Sequence, residues 1–205
     1  LRRVLRLMRQ SNLLAPTRVG SPRGPRNHDG TIIPDTVDAM WGTDLTTTIT
    51  SEGQAAVFVA VDHCSAECVG IHAHAQATRF QALEPIRHRA CASTSAGLPR
   101  RLAVRHDHGS QYMSHHFHTE IAFLGIESSP AFVRAPEGYG CAERFIRTLK
   151  ENLLWVRTFA TIEELRQALL AFRETYNTTW LIERHGFLTP AQFRQKQLQT
   201  AAVAA

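Results

Sequence analysis

Residues 55–65, AAVFVAVDHCS, form an almost unbroken apolar run that stops at Asp62, His63 and Ser65. Seven consecutive apolar residues without helical spacing predict a strand covered on both faces, at the centre of a sheet. Working outward, residues 40–50, MWGTDLTTTIT, are rich in threonine and alternate well enough to form a strand before it. Residues 68–75, CVGIHAHA, follow a short turn at 65–67 and predict a third strand. Residues 77–88, ATRFQALEPIRH, space Phe80, Leu83 and Ile86 three apart, as a helix would. Residues 91–99 are small and polar, and are expected to form a loop.

The second half of the chain alternates strand and helix. RRLAVRHDHG (100–109) predicts a short strand whose apolar run ends at Asp107. HHFHTEIAFLG (115–125) carries Phe117, Ile121 and Leu124 on one stripe, with Gly125 as its stop. A short strand is expected in IESSPAFV (126–133). In GCAERFIRTLKENLLW (140–155), Phe145, Leu149 and Leu153 recur at four-residue steps with Ile146 beside them. Thr161 and Glu164 form a capping box ahead of Leu165, Leu169, Phe172 and Tyr176. Three strands, helix, strand, helix, strand and helices make an α/β fold, a mixed five-stranded sheet flanked by helices.

The 205 residues carry a net charge of +5, which favours an anionic partner. The charge is uneven: seven arginines lie between Arg2 and Arg26 with no acid before Asp29. A basic arm of this kind suits phosphate contact and equally suits a solvated tail. Residues 16–36, with repeated proline and glycine, predict a linker, and 196–205 a disordered tail. The chain begins with Leu and shows no signal core, which predicts a cytoplasmic fragment of something longer. The longest apolar run, 55–61, is too short to span a bilayer. Four cysteines without a C-x-x-C pair predict ordinary reduced thiols.

Two acids stand where an α/β sheet places its chemistry: Asp44 inside the first strand and Asp107 at the end of the fourth. Glu143 lies early in an amphipathic helix, two residues before its apolar stripe. Three converging carboxylates repel one another, and such a cluster is stable mainly when hard divalent cations bind it. On spacing alone, acids at strand ends are more often turn or capping residues. Asp62 reads this way, as a turn former ahead of Ser65. His72 and His74, and His115, His116 and His118, lack helical ligand spacing and read as solvated surface. Trp155 and Trp180 read as core or interface residues rather than as base-stacking platforms.

WGTDLTTT around Asp44, RHDHGSQY around Asp107 and GCAERFIRTLKENL around Glu143 resemble the signature segments of retroviral-integrase-like transposases of bacterial insertion sequences. The gap between Asp107 and Glu143 is 143 − 107 − 1 = 35 residues, the spacing of that family's aspartate–aspartate–glutamate triad. FVAVDHCSAECVGIH, FLGIESSPAFVRAPEG and YNTTWLIERHGFLTP extend the resemblance over roughly 36–195. It implies a ribonuclease H-like fold in a catalytic domain at 37–195. It also implies that 1–15 is the tail of a truncated helix-turn-helix region.

The resemblance further implies metal-dependent DNA cleavage and strand transfer with Asp44, Asp107 and Glu143 as catalytic residues and metal ligands. Two magnesium ions are implied, with manganese able to substitute. DNA contacts are expected at His108, Gln111, Arg144, Arg147 and Lys150. Element ends and target DNA, further copies of the chain, and a helix-turn-helix partner or missing N-terminal region are the implied partners, with no membrane, in a nucleoid-associated setting. Tyr139, where the family usually has Asn, and the segment 87–101 depart from the pattern. The alternatives are therefore a remnant that binds DNA without turnover, or a ribonuclease H-like nuclease.

Overall fold

The computed structural model describes residues 2–11, 33–92, 102–131 and 140–204. A basic helix, α1 (Arg2–Gln10), precedes the sheet, with Val4 and Leu7 exposed on it. The sheet is built from β1 (Met40–Thr50), β2 (Gly53–Asp62), β3 (Cys68–His74), β4 (Ala103–His106) and β5 (Glu127–Pro130). Its order is β3-β2-β1-β4-β5. The first three strands form an antiparallel meander, while β4 and β5 add in parallel on the other side of β1. The expected mixed five-stranded sheet is thus present, with β2 buried on both faces from Ala55 to Asp62.

Strand alternation sorts the side chains into two cores. On one face Trp41, Phe58, Ala60 and Val104 pack against α2 (Arg79–Ala92) and α3 (His115–Phe123). On the other, Val57, Val59 and Val61 pack against α4 (Gly140–Leu149) and α5 (Ile162–Thr179). A π-helical turn, Lys150–Leu154, continues α4, and α6 (Pro190–Ala204) closes the described chain.

Close packing depends on small residues at two points. A Cβ on Gly70 in β3 would fall 2.0 Å from the carbonyl oxygen of Pro85, so only glycine lets α2 lie this near the strand. The proline is tolerated inside α2, where Leu83 and Ile86 on either side are fully buried. On β1, a Cβ at Gly42 would meet His63 at 2.6 Å and the methyl of Ala142 at 3.6 Å. Gly42 and Ala142 therefore bring the start of α4 down onto β1.

Several expectations are corrected. Phe80 is not on the buried stripe of α2; it is 46% exposed, its ring beneath Arg79 and beside His116. Cys91 belongs to α2 and not to a loop. Residues 196–204, expected as a disordered tail, are helical, because α6 runs on through Ala204. The helix is anchored by Arg194, buried against Asp38 and Glu67. Neither Trp155 (69% exposed) nor Trp180 (37%) is in the core. Of the capping box, Thr161 Oγ1 accepts from the Glu164 amide at 3.0 Å, but Glu164 reaches back to the amide of Ala160 rather than to that of Thr161. Residues 16–32 of the linker expected at 16–36, residues 93–101 of the divergent segment 87–101, and Tyr139 lie outside the described residues.

Candidate active site

The two aspartates are set by one register. In the parallel pair of β1 and β4, Gly42 stands opposite Arg105. Asp44 and Asp107 each follow two residues later, so alternation turns both toward the face on which α4 lies. Asp44 is half-buried, its Oδ1 accepting from the Leu45 amide at 2.7 Å. Asp107 is the first residue past β4, and its Oδ1 accepts from the Gly109 amide at 2.8 Å, an Asx turn that fixes the carboxylate. Glu143 is exposed on the first turn of α4, which Gly42 and Ala142 hold against β1.

Asp44 senses the other two acids. Burial raises the Asp44 pKa from 3.8 to about 6, and the charges of Asp107 and Glu143 push it the same way. The Leu45 amide and Lys150 oppose the rise without cancelling it. Among the described residues, however, no three His, Cys, Asp or Glu side chains stand close enough to enclose one ion as they are placed. The carboxylates share an electrostatic neighbourhood, not a closed cage.

The remaining expected residues divide by environment. Lys150, at the start of the π-helical turn, is near enough to lower the Asp44 pKa. Gln111 is beside Asp107: a Cβ on Gly109 would lie 2.5 Å from its amide nitrogen and 2.8 Å from Asp107 Oδ1. His108 is exposed next to Asp107. Arg147 is exposed and tied to Glu151 at 2.8 Å, whereas Arg144 has no carboxylate partner among the described residues.

His106 is a core residue. It is fully buried, donates from Nδ1 to the Asp107 carbonyl at 2.8 Å, and accepts from the Ser128 hydroxyl at 2.9 Å. Burial lowers its pKa, so it holds the end of β4 as a neutral ring stacked on Tyr112. Asp62 is likewise structural: it accepts from the Ser65 amide and hydroxyl and from the Asp38 amide. Cys64, Cys68 and Cys141 are free and buried.

The fold matches solved integrases. The catalytic core of a bovine immunodeficiency virus integrase superposes with a TM-score of 0.53 at 20% identity, over 80% of this chain and 99% of that one. A human T-cell lymphotropic virus type 2 integrase core, solved in complex with magnesium, gives 0.56 at 18% identity over the same shares. A chain of a simian T-cell lymphotropic virus intasome, solved in complex with PP2A regulatory subunit B56 gamma, gives 0.62 at 17% identity, over 85% of this chain and 60% of that one. Residues 124–190 match the family model described as the integrase core domain.

Over those residues the chain is similar to an integrase core domain.

The expected ribonuclease H-like class follows from these neighbours. Sequence relatives lie among insertion-sequence transposases. The chain is 26% identical to the Escherichia coli transposase InsF of IS3A over 161 residues, 77% of this chain and 54% of that protein. It is 29% identical to the Lactococcus lactis IS904 transposase over 143 residues, 68% of this chain and 54% of that protein. The chain spans about half the length of these transposases. No helix among the described residues is long and apolar enough to cross a membrane.

One feature of the core had no signal in spacing. Arg194 on α6 reaches Asp38, which also accepts from the Trp41 indole at 2.9 Å, and Glu67 at 3.1 Å. This ties the last helix to the entry of β1. The partners are 156 residues apart in sequence for Arg194 and Asp38, so no local pattern announces them.

Proposed function

We propose that this chain is the catalytic domain of an insertion-sequence transposase, cutting DNA strands and joining a 3′-hydroxyl end to a new phosphate. The observation that carries this reading is Asp44. A carboxylate pushed up to about 6 by burial and by two neighbouring carboxylates is destabilised in its charged form. A cation would relieve that repulsion, and three carboxylates offer only hard oxygen donors.

The donor set thus fits divalent magnesium, with manganese as a substitute and two ions as the expected number. Such ions, when bound, activate water and then the DNA hydroxyl, and neutralise charge at phosphorus. Asp44 and Asp107 would hold them from the sheet, the latter already fixed by its Asx turn. Glu143, exposed on α4, is the ligand whose side chain has room to swing inward. Lys150 and Gln111 border the two aspartates and would position the scissile phosphate. His108, Arg144 and Arg147 would contact DNA further out, Arg147 after releasing Glu151. The basic helix α1 would add phosphate contacts as part of a DNA-binding region. Paired DNA ends would be served by more than one copy, in a cytoplasmic, nucleoid-associated setting.

The test uses a labelled duplex ending in the element's terminal repeat, with a target plasmid and magnesium or manganese. Metal-dependent nicks and joined products are expected from the wild-type chain, and neither from Asp44→Asn, Asp107→Asn or Glu143→Gln. Nicks without joining would make the chain a nuclease. DNA binding without either product would make it a non-catalytic remnant. Undiminished cleavage by all three variants would remove the site altogether.

A further inference from the structure

Behind Glu143, on the adjacent side of α4, a cavity of about 320 Å³ opens between α4, the end of α5 and the segment that follows α5. Its inner wall is aromatic. Phe145 and Tyr176 meet edge to face at 4.9 Å, and Tyr176 leads to Trp180 at 6.0 Å with their planes 33° apart. Phe145 and Tyr176 are buried, while Trp180 is part-exposed at the mouth. Arg144 and Arg184 stand at the rim against a single acid, Glu183.

The cavity is held by the fold, not by loose surface chain. The Trp180 amide donates to the Tyr176 carbonyl at 3.2 Å, fixing the tryptophan as the cap of α5. Arg184 donates from Nη2 to the carbonyls of His63 and Cys64 at 3.1 and 3.3 Å, which pins its guanidinium at the rim. Arg144 follows Glu143 directly, so the mouth lies about 100° round the helix from the catalytic carboxylate.

An aromatic wall, two guanidiniums against one carboxylate in the lining and a volume at the lower end of ligand-sized pockets describe a site for a planar, anionic group. Aromatic rings stack any base by its face, and arginine adds charge toward phosphate. We infer that this cavity binds one unpaired nucleotide of the DNA engaged by the core, its base against Trp180 and its phosphate between Arg144 and Arg184. The inference rests on the proposed action on DNA and adds to it a subsite that would hold a strand end splayed from its complement beside Glu143.

The test is binding in EDTA, where no cleavage intervenes. Two DNA duplexes are compared, one blunt and one with a short single-stranded tail carrying 2-aminopurine. Tighter binding of the tailed duplex and quenching of its 2-aminopurine are expected for the wild-type chain. Trp180→Ala should weaken tailed binding by roughly ten- to a hundredfold, the scale of one lost base stack, and leave blunt binding unchanged. Trp180→Phe should fall between, and Arg144→Gln should weaken the tailed duplex more than the blunt one. An unchanged urea midpoint shows that the variants are folded. Equal binding of the two duplexes by the wild-type chain, or equal weakening of both by Trp180→Ala, would overturn the subsite. A wild-type chain that joins DNA with metal but shows no preference for the tail defeats the subsite alone. Absent joining with intact tail preference defeats the proposed function alone.

Discussion

The end of β2 and the middle of β1 each hold a desolvated aspartate, and the contrast between them shows what makes a site. Asp62 is fully buried, and burial raises its pKa. It is nonetheless provided for: three donors, from Ser65 and Asp38, aim at its two oxygens. Asp44 is less buried yet, among the described residues, accepts only from the Leu45 amide, with two acids nearby pushing its pKa further up. Burial alone therefore does not mark function. A buried carboxylate with its donors in place belongs to the scaffold; one short of donors and facing like charge awaits a ligand.

The largest effect that would sharpen this contrast is on turnover. Asp107→Asn or Asp44→Asn should cut strand joining by at least about a thousandfold, as for loss of a group acting in the transition state. Asp62→Asn should leave joining within about tenfold where the chain stays folded. Comparable losses from Asp62→Asn and Asp44→Asn would break the comparison.

Stability should reverse the order. Asp62→Ala strands two amides and a hydroxyl in a dry turn, and should cost about 3–5 kcal/mol in urea unfolding. Asp44→Asn should do the opposite in EDTA. A rise of about two pKa units corresponds to about 3 kcal/mol, and the partial exposure of Asp44 reduces this to a gain of about 1–2 kcal/mol. That gain is a melting point about 3–6 °C higher at neutral pH. Magnesium should stabilise the wild-type chain and not Asp44→Asn, so an equal metal response in both would count against Asp44 as a ligand.

The pH dependence carries a definite sign. With its pKa raised from 3.8 to about 6, folded Asp44 binds more proton than unfolded Asp44 between those values. Its contribution to metal-free stability is therefore present below about pH 4 and lost as pH rises through about 6. The difference between wild type and Asp44→Asn should show that fall, and a flat difference would refute it. The smallest effect concerns Lys150, whose charge lowers the Asp44 pKa. Lys150→Met should move the fall to higher pH, read from the same melting series.

Much of this was legible in the chain. The 55–61 run, the Thr-rich 40–50 segment and the stripe at Phe145, Leu149 and Leu153 each carry their own period, and each became the expected element. Asp44, Asp107 and Glu143 were also nameable, through the family resemblance of the segments around them: one lies inside a strand pattern, one ends a strand pattern and one opens a helix pattern. The charge environment of Asp44 was not, since it depends on the register that sets Gly42 opposite Arg105 and on Ala142 seating α4 over Gly42. The helicity of 196–204 was misread because it depends on partners remote in sequence, Asp38 and Glu67 for the arginine that anchors α6. The burial of His106, which bonds Ser128 across the sheet, had no local signal for the same reason.

By itself, then, the sequence determined the order and type of the elements and the chemistry each could offer, because hydrophobic period and side-chain type are local properties. The tertiary structure alone decided which acid is starved of donors, which histidine is walled in, and which aromatics line a cavity beside Glu143. Desolvation and Coulomb repulsion act between side chains close in space, whatever their separation along the backbone.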